Sequence, residues 1–421
     1  MNVRIATRGY KKTEIGVIPE DWRVKQLADF ALVQTGPFGT LLKASEYSEY
    51  DGVPLISVGE IRQGYLRVTI ETPRVSSIVT KRLPQFILRT GDIVFGRKGG
   101  IDRSALIRAP EDGWFLGSDG LRVRPLPGHD SAYISLQFQT ARVQKWLIQN
   151  ALGTTMPSLN QSILKRVCIA FPADEREQEA IAEAFADADA FIEALEQALA
   201  KKRDLKQGAM QELLAGNRRL PGFVNPWVHT RLSELASIRN GGTPSTLRSE
   251  FWDGDIPWCT PTDITALQGG KYLRETARKI TQMGLENSSA ELIPANSIVM
   301  TSRATIGECA INDVPLSTNQ GFKNFLPYEG VNTEFLYYLL TTKKQDFIRL
   351  CGGSTFLEIG KAQLAKFAVY LPTQKSEQAE IAEILSDMDA EIEALEQKLA
   401  KARAVKQGMM QQLLTGQVRL I

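Results

Sequence analysis

The chain contains few residues whose type and spacing could support catalysis. Its two histidines, His129 and His229, lie far in sequence from any candidate nucleophile, and its four cysteines form no CxxC pair. Glu396-Gln-Lys398 has the spacing of a nuclease Glu-x-Lys motif, but it lies in a segment that predicts a solvated helix face. Gly96-Arg-Lys-Gly-Gly100 lacks the spacing of a phosphate-binding loop. The sequence therefore predicts no catalytic centre and no metal site.

Basic and amide side chains could support a different chemistry, the recognition of base edges in DNA. Arg and Lys hydrogen-bond guanine, whereas Asn and Gln hydrogen-bond adenine. Because the choice rests on residue type and loop position alone, a structural or solvated role is the alternative for each. The candidates are Lys43, Arg97, Lys98, Arg103 and Arg122 in one region and Arg303, Asn319, Gln320 and Lys323 in another.

The elements that must position these side chains follow from an internal repeat. Residues 177–220 and 377–420 align without a gap, and 28 of their 44 positions are identical. The regions before each copy match only faintly, for example Trp22 with Trp227 and Gly36 with Gly241. The offset between matches shifts from 205 to 200 along the chain, which indicates loop insertions and deletions on a common core.

Each repeat copy is predicted to form one long helix. Apolar residues alternate at spacings of four and three, the a/d pattern of a coiled-coil seam. This register shifts after Leu199 and Leu399, so we expect the seam to cover the N-terminal halves. The C-terminal halves are then expected to pack on a partner or on the opposing domain. The seam positions are Ile181, Phe185, Ala188, Ile192, Leu195 and Leu199 in copy one and Ile381, Leu385, Met388, Ile392, Leu395 and Leu399 in copy two.

Residues at the helix ends support this assignment. Asp174 precedes Glu177 by three residues, which predicts a capping box. Gly216 and Gly416 are predicted C-terminal stops. Two further glycines, at 208 and 408, lie inside the helices, where they are either tolerated at the surface or required by the close approach of another backbone.

The divergent regions have the pattern of mixed α/β domains. Short apolar runs at 53–58, 91–95 and 121–124 alternate with Gly and Pro and predict strands, and single helices are predicted at 131–148 and 333–350. The end of the chain is expected near residues 1–20. We assign 1–20 to an N-terminal segment, 21–172 to a first domain, 173–218 to a central helix, 219–372 to a second domain and 373–421 to a C-terminal helix.

Charge is distributed unevenly along the chain. The net charge is +2, yet residues 173–216 carry 11 acids and 5 bases, and residues 373–416 carry 8 acids and 5 bases. The remainder therefore carries +11, and basic surface suits phosphate backbones. No apolar run approaches the ~20 residues of a membrane span and no secretory signal is evident, so we expect a cytoplasmic protein with buried thiols.

This arrangement of domain, helix, domain and helix resembles the DNA-specificity subunit of type I restriction–modification systems over nearly the whole chain. The repeated Gln-Gly-x-Met-Gln-x-Leu-Leu-x-Gly helix endings contribute to the resemblance. The other motifs that carry it are Pro172-x4-Glu177-Gln178, Pro372-x4-Glu377-Gln378, Gly241-Gly-Thr-Pro-Ser245, Gly36-Pro-Phe-Gly39 and Gly91-Asp-Ile-Val94.

The resemblance implies a mixed α/β (α+β) fold with two target recognition domains, each recognising one half of a bipartite site in double-stranded DNA. It implies that the two helices pair as an antiparallel coiled coil with pseudo-twofold symmetry and dock two methyltransferase subunits. A motor–nuclease restriction subunit can join that complex. S-adenosylmethionine would be bound by the methyltransferase subunits, so this chain is expected to hold no cofactor and to be no enzyme.

Two other hypotheses remain at this point. One is a protein-only adaptor, in which the helices are docking sites and the two divergent domains bind protein partners. The other is a stand-alone nuclease, which the sequence favours less because it has no carboxylate–lysine cluster in a loop or strand.

Overall fold

The computed structural model describes residues 3–5, 9–153, 155–351 and 357–420. Contacts divide the chain into two compact units. The first unit comprises residues 1–196 and 398–421, and the second comprises residues 197–397. Each unit therefore contains one divergent domain together with parts of both long helices.

The first unit is built from short strands and helices, followed by one long helix. Its strands are β1 Val3–Ile5, β2 Tyr10–Thr13, β3 Gly16–Pro19, β4 Arg23–Gln26, β5 Ala31–Thr35, β6 Tyr47–Ser48, β7 Val53–Ile56, β8 Arg74–Val75, β9 Ile93–Gly96, β10 Ser104–Leu106, β11 Phe115–Leu116, β12 Gly120–Pro125 and β13 Cys168–Phe171. Its helices are α1 Leu27–Phe30, α2 Ser77–Arg82, α3 Ser131–Phe138, α4 Ala141–Asn150, α5 Gln161–Lys165 and the start of α6, Glu175–Leu214.

The second unit repeats this order with different loops. Its strands are β14 Trp227–Arg231, β15 Ala236–Asn240, β16 Trp252–Cys259, β17 Tyr272–Leu273, β18 Arg278–Ile280, β19 Ser297–Thr301, β20 Cys309–Asn312, β21 Ser317–Thr318, β22 Phe322–Pro327 and β23 Ala368–Pro372. Its helices are α7 Leu232–Leu235, α8 Pro261–Ala266, α9 Gln282–Glu286, α10 Thr333–Thr342, α11 Lys344–Leu350, α12 Lys361–Lys366 and most of α13, Lys375–Gln412; β24, Val418–Leu420, returns to the first unit.

Both domains share one sheet topology, which confirms the predicted mixed α/β class. A central antiparallel sheet has the order β10-β9-β12-β5 in the first domain and contains the equivalent order β20-β19-β22-β15 in the second. A smaller sheet contains one parallel pair, β11 with β7 or β21 with β16. The predicted strands at 53–58, 91–95 and 121–124 are β7, β9 and β12.

Two predicted single helices are wrong, because each is divided in two. The segment 131–148 breaks at Thr140, whose backbone is extended and whose side chain caps α4. The segment 333–350 breaks at Lys343, between α10 and α11. Apolar residues continue across both breaks because both helices of each pair face the same core, so periodicity did not reveal them.

The two long helices are confirmed, and their ends follow the predicted chemistry in part. The Asp174 carboxylate accepts a hydrogen bond from the Arg176 amide at 3.0 Å. Gly216 and Gly416 adopt φ values of 73° and 72°, the left-handed conformation that stops helices. A Cβ atom at Gly208 or Gly408 would meet no atom within 4 Å, so no other backbone in the described part of the chain requires either glycine.

The end of the chain pairs with its beginning. Strand β24 lies antiparallel to β1, with Leu420 opposite Val3 and Val418 opposite Ile5. The prediction that the end of the chain lies near residues 1–20 is confirmed. Among the helices that the structure describes, none has the length and apolarity needed to cross a bilayer.

Replacing Gly416 by Ala should lower the free energy of unfolding by about 1–3 kcal/mol, because its φ is left-handed and the new Cβ would lie 2.4 Å from Pro19 Cγ. Gly408→Ala, inside the helix that Gly416 follows, is the matched control. It should raise stability by up to about 1 kcal/mol. Thermal unfolding midpoints of both variants test the pair, and a Gly416→Ala protein as stable as wild type would contradict the assignment.

Candidate nucleic-acid interface and helix seam

The seam in the first unit joins the start of α6 to the end of α13. Asp189 accepts a hydrogen bond from Lys406, and Glu196 forms an ion pair with Arg403 at 2.6 Å. As one helix advances from 189 to 196, its partner positions decrease from 406 to 403. The two segments are therefore antiparallel.

The seam in the second unit repeats these contacts with the copies exchanged. Asp389 pairs with Lys206, and Glu396 pairs with Arg203 at 2.6 Å. Such reciprocal contacts are the signature of an isologous interface. The predicted antiparallel coiled coil is thus confirmed, and the acid of Glu396-Gln-Lys398 belongs to a seam ion pair.

Each predicted seam residue is buried or partly buried, but the expected limit of the seam is wrong. Ile181 and Phe185 share a core with Leu413 and Leu414 of the other copy. The physical reason is the antiparallel direction, which places each C-terminal half against the N-terminal half of the other helix. The C-terminal halves also pack on the opposing domain, as expected: Gln137 Nε2 donates to the Leu414 carbonyl at 2.9 Å.

A buried ion pair explains the Glu of the first helix entry. Arg419 donates to both carboxylate oxygens of Glu177 and, at 2.9 Å, to both oxygens of Asp21. Glu177 and Arg419 are only 6% and 4% exposed. Hydrogen bonding to Glu177 raises the pKa of the Arg419 guanidinium against the opposing effect of burial. Glu177 therefore does not complete the predicted capping box.

The second helix entry has the equivalent arrangement. Arg219 donates to Glu377 at 2.7 and 2.9 Å, and the Trp227 indole donates to the same carboxylate at 3.1 Å. Sequence reasoning missed both pairs. The signal was the arginine one residue before the end of both copies, at 219 and 419.

The adjacent glutamines attach each helix to its own domain. Gln178 donates to the Pro172 carbonyl at 3.1 Å and accepts from the Asp130 amide at 3.2 Å. Gln378 makes the same two contacts, with Pro372 and with the Asn332 amide. The Pro-x4-Glu-Gln motif is thus a structural joint between helix and domain.

Seven of the nine predicted DNA-contacting residues gather at one edge of each central sheet. In the first domain β5 and β9 end where β12 begins, because Gly120 pairs with Gly96 and Leu121 pairs with Thr35. We call the loops at this edge, residues 36–43, 97–103 and 117–119, the first loop edge. The second loop edge comprises residues 241–248, 302–308 and 317–321, at the equivalent ends of β15, β19 and β22.

Four first-domain candidates lie on the first loop edge. Lys43 and Lys98 are exposed, and Arg97 and Arg103 are partly exposed. The Arg97 guanidinium lies 4.9 Å from the ring centre of the half-exposed Phe38. The edge therefore presents cations and an aromatic ring together.

Three second-domain candidates lie on the second loop edge. Arg303 and Gln320 are exposed, and Asn319 is partly exposed. Gln320 accepts a hydrogen bond from Thr243, which joins two of the three loops. Asn319 Oδ1 accepts from the Gly321 amide at 2.9 Å, so its orientation is fixed by its own loop.

Two candidates lie inside the domains rather than on the loops. Arg122 and Lys323 are each 6% exposed. The Arg122 guanidinium donates to the carbonyls of Gln85 and Ile87 at 3.0 and 3.3 Å, and to the Gln34 side chain. Because these contacts give Arg122 a structural role, and Lys323 is enclosed, we leave both out of the proposed DNA-contacting set.

The glycine motifs of the two loop edges are also structural. A Cβ atom at Gly36 would lie 1.7 Å from the Gly117 carbonyl oxygen, and one at Gly241 would lie 1.8 Å from that of Asn319. Only glycine allows the first and third loops to approach this closely. Within the described residues no group of three or more His, Cys, Asp and Glu side chains could hold a metal ion.

Comparison with known proteins decides the family. The family model of the type I restriction modification DNA specificity domain matches residues 19–202 and 225–403. The chain belongs to this DNA specificity family. It is 39% identical to the type I restriction enzyme MjaIX specificity subunit of Methanocaldococcus jannaschii, over 40% of this chain and 39% of that protein. It is 25% identical to the putative MjaX specificity subunit of the same organism, over 98% and 97% of the two chains.

The match to a third specificity subunit is partial, like the match to MjaIX. The chain is 30% identical to the EcoR124I/EcoR124II specificity subunit of Escherichia coli, over 42% of this chain and 44% of that protein. The chain thus matches less than half the length of the MjaIX and EcoR124I/EcoR124II subunits.

Solved structures share the fold of this specificity-family chain. The S subunit of the type I restriction–modification system from M. genitalium has a TM-score of 0.58 at 14% identity, over 93% of this chain and 96% of that one. A chain from a study of complex assembly and conformational transition in the type I R-M system also has a TM-score of 0.58, at 18% identity, over 95% and 99%.

Replacing Glu177 by Gln should destabilise the first unit by about 1–3 kcal/mol, because buried Arg419 loses one of its two carboxylate partners and keeps only Asp21. Glu196→Gln removes an exposed ion pair from the same helix and should cost less than about 1 kcal/mol. Chemical denaturation of the two variants measures the difference. Equal losses would show that burial does not decide the strength of these pairs.

Proposed function

We propose that this chain is the DNA-recognising specificity subunit of a type I restriction–modification complex, with each domain recognising one half of an asymmetric bipartite site in duplex DNA. The observation that carries the proposal is the clustering of basic and amide side chains at the same sheet edge of both domains. Lys43, Arg97, Lys98 and Arg103 form one cluster, and Arg303, Asn319 and Gln320 form the other.

The two clusters differ in chemistry, which supports recognition of unlike half-sites. The first loop edge offers only cations among its candidates, whereas the second offers one arginine and two amides. Arg and Lys favour guanine, and Asn and Gln favour adenine. The side chains lie in loops where the two domains differ in sequence.

The long helices are proposed to set the spacing between the half-sites and to dock two methyltransferase subunits. Their exposed surfaces are acidic, which suits protein partners better than phosphates. S-adenosylmethionine would be bound by those subunits, and a restriction subunit could join the complex. In this proposal the chain is non-catalytic and works in the cytoplasm, on chromosomal DNA.

A protein-only adaptor is the second candidate function. The half-exposed Phe38 and other exposed apolar residues of the first domain, among them Tyr50 and Ile70, would suit a protein partner. Salt dependence separates the two functions. Binding through phosphates weakens steeply as salt rises, whereas apolar protein contacts do not require such a slope.

Mapping methylated adenines in cells that express the complex should give a bipartite motif with two unlike halves. Exchanging residues 21–172 for the corresponding domain of another specificity subunit should change one half of the motif and leave the other half unchanged. The reason is that the two loop edges belong to separate domains with separate cores. A single continuous motif, or a change in both halves, would contradict the proposal.

Duplex binding by the reconstituted complex should lose affinity steeply with salt. Replacing Lys98 by Gln should weaken binding to all duplexes to a similar degree and reduce the slope of log affinity against log salt by about one, as for the loss of one phosphate contact. Lys279→Gln, an exposed lysine on β18 of the smaller sheet, is the control and should leave the slope unchanged. An unchanged slope for Lys98→Gln would remove that lysine from the DNA surface.

A further inference from the structure

An acidic side chain lies beside Arg303 of the second loop edge. Glu358 forms an ion pair with Arg303 at 2.9 Å and another with Lys323 at 3.6 Å. Arg303 and Glu358 are also paired as an isolated β-bridge. A carboxylate here repels phosphates, so DNA binding by charge alone would be stronger without it.

The first domain has no acid at the equivalent position. Lys98 forms the same type of bridge with Ser158, and Leu159 donates its amide to the Arg97 carbonyl at 2.8 Å. In the second domain Ile359 donates to the Ser302 carbonyl at 3.1 Å. The backbone arrangement is therefore shared, whereas the charge of the side chain at 158 and 358 is particular to each domain.

Glu358 also pairs with Lys323, a buried lysine whose position is occupied by an apolar residue in the first domain. The Lys323 side chain is 7% exposed, and the pairing of its strand aligns it with Leu121 of the first domain. A leucine therefore fills this position without any ion pair. Burial lowers the pKa of Lys323, and the hydrogen bond from Arg303 lowers the pKa of Glu358.

Arg303 is the exposed partner of Glu358, whereas Lys323 is the buried one. The Arg303 side chain is 47% exposed, and an isolated arginine at such a position would sample many rotamers. The ion pair restricts that freedom, and the next residue, Ala304, adopts a left-handed φ of 57°, a strained conformation found at functional sites. A guanidinium has five N–H donors, so bonding to Glu358 through Nη2 leaves donors for a base.

We propose that Glu358 is a positioning residue that orients Arg303 to recognise a guanine in the half-site of the second domain. The inference rests on the proposed DNA-recognising function. Arg303 donates to N7 and O6 of the guanine, the bidentate contact typical of arginine. Glu358 fixes the plane of the guanidinium, and its charge opposes binding to phosphates, so it exchanges general affinity for selectivity.

The test is competitive binding of the reconstituted complex to duplexes that vary one base pair at a time. In Glu358→Gln, discrimination at one guanine of the second half-site should fall at least about fivefold. Affinity for unrelated duplexes should rise and become more salt-dependent. Preference across the first half-site should stay unchanged, as an internal control.

Coupling to Arg303 distinguishes positioning from a merely structural role. In an Arg303→Ala background, Glu358→Gln should cause no further loss of discrimination, because the two residues act as one unit. The double variant Lys323→Met with Glu358→Gln leaves no unpaired buried cation. It should show the same loss of discrimination as Glu358→Gln alone, which separates the effect from misfolding.

Asp313→Asn is the matched control, since Asp313 pairs with Arg274 at 2.7 Å in the same domain but follows β20 at the opposite edge of the sheet. It should change neither preference nor salt dependence. The inference is overturned if Glu358→Gln leaves guanine preference intact or weakens all duplexes equally, or if the effects of the two residues add. A wild-type complex without any sequence preference would instead overturn the proposed function itself.

Discussion

The joint between domain and helix depends on a buried carboxylate. The cation that neutralises it comes from a part of the chain that is remote in sequence. Glu177 begins one long helix in an enclosed position, and its cation, Arg419, lies 242 residues further along the chain. Glu377 has the same relation to Arg219, across 158 residues. A buried carboxylate without its partner costs several kcal/mol. Each helix entry is therefore stable only when the end of the other repeat copy is in place.

The residues of the loop edges can vary because the contacts that hold each domain together do not involve their exposed side chains. Gln178 and Gln378 fix the helix entries to backbone groups of their domains, and glycines at 36 and 241 hold the first and third loops in close contact. These contacts use backbone atoms or residues common to both domains. The side chains between them can change without loss of the core, which is how variable binding surfaces are carried on rigid scaffolds.

The sequence predicted the two long helices and three of the strands because those follow from the spacing of apolar residues and from glycine. The prediction of exposed residues failed on strands that are covered on both faces. Arg122 alternates with apolar neighbours, as on a half-exposed strand, but the first four residues of β12 are all buried because both faces of the strand are covered. Lys323 fails for the same reason on β22. Glu358 is one acid between α11 and α12, so no spacing in the sequence marked it. It is distinguished only by its β-bridge with Arg303, which is equivalent to the bridge of Lys98 with Ser158.

The two seams of the helix pair do not carry identical contacts. In a dimer of identical chains one substitution would alter both seams at once. Here each seam combines different residues of the two copies, so a change can be confined to one. At the same repeat position, Phe191 lies beneath Lys398 at 5.4 Å in the first unit, whereas Glu391 pairs with Lys202 in the second. The two seams are therefore not equivalent, and each can have its own stability and its own exposed surface.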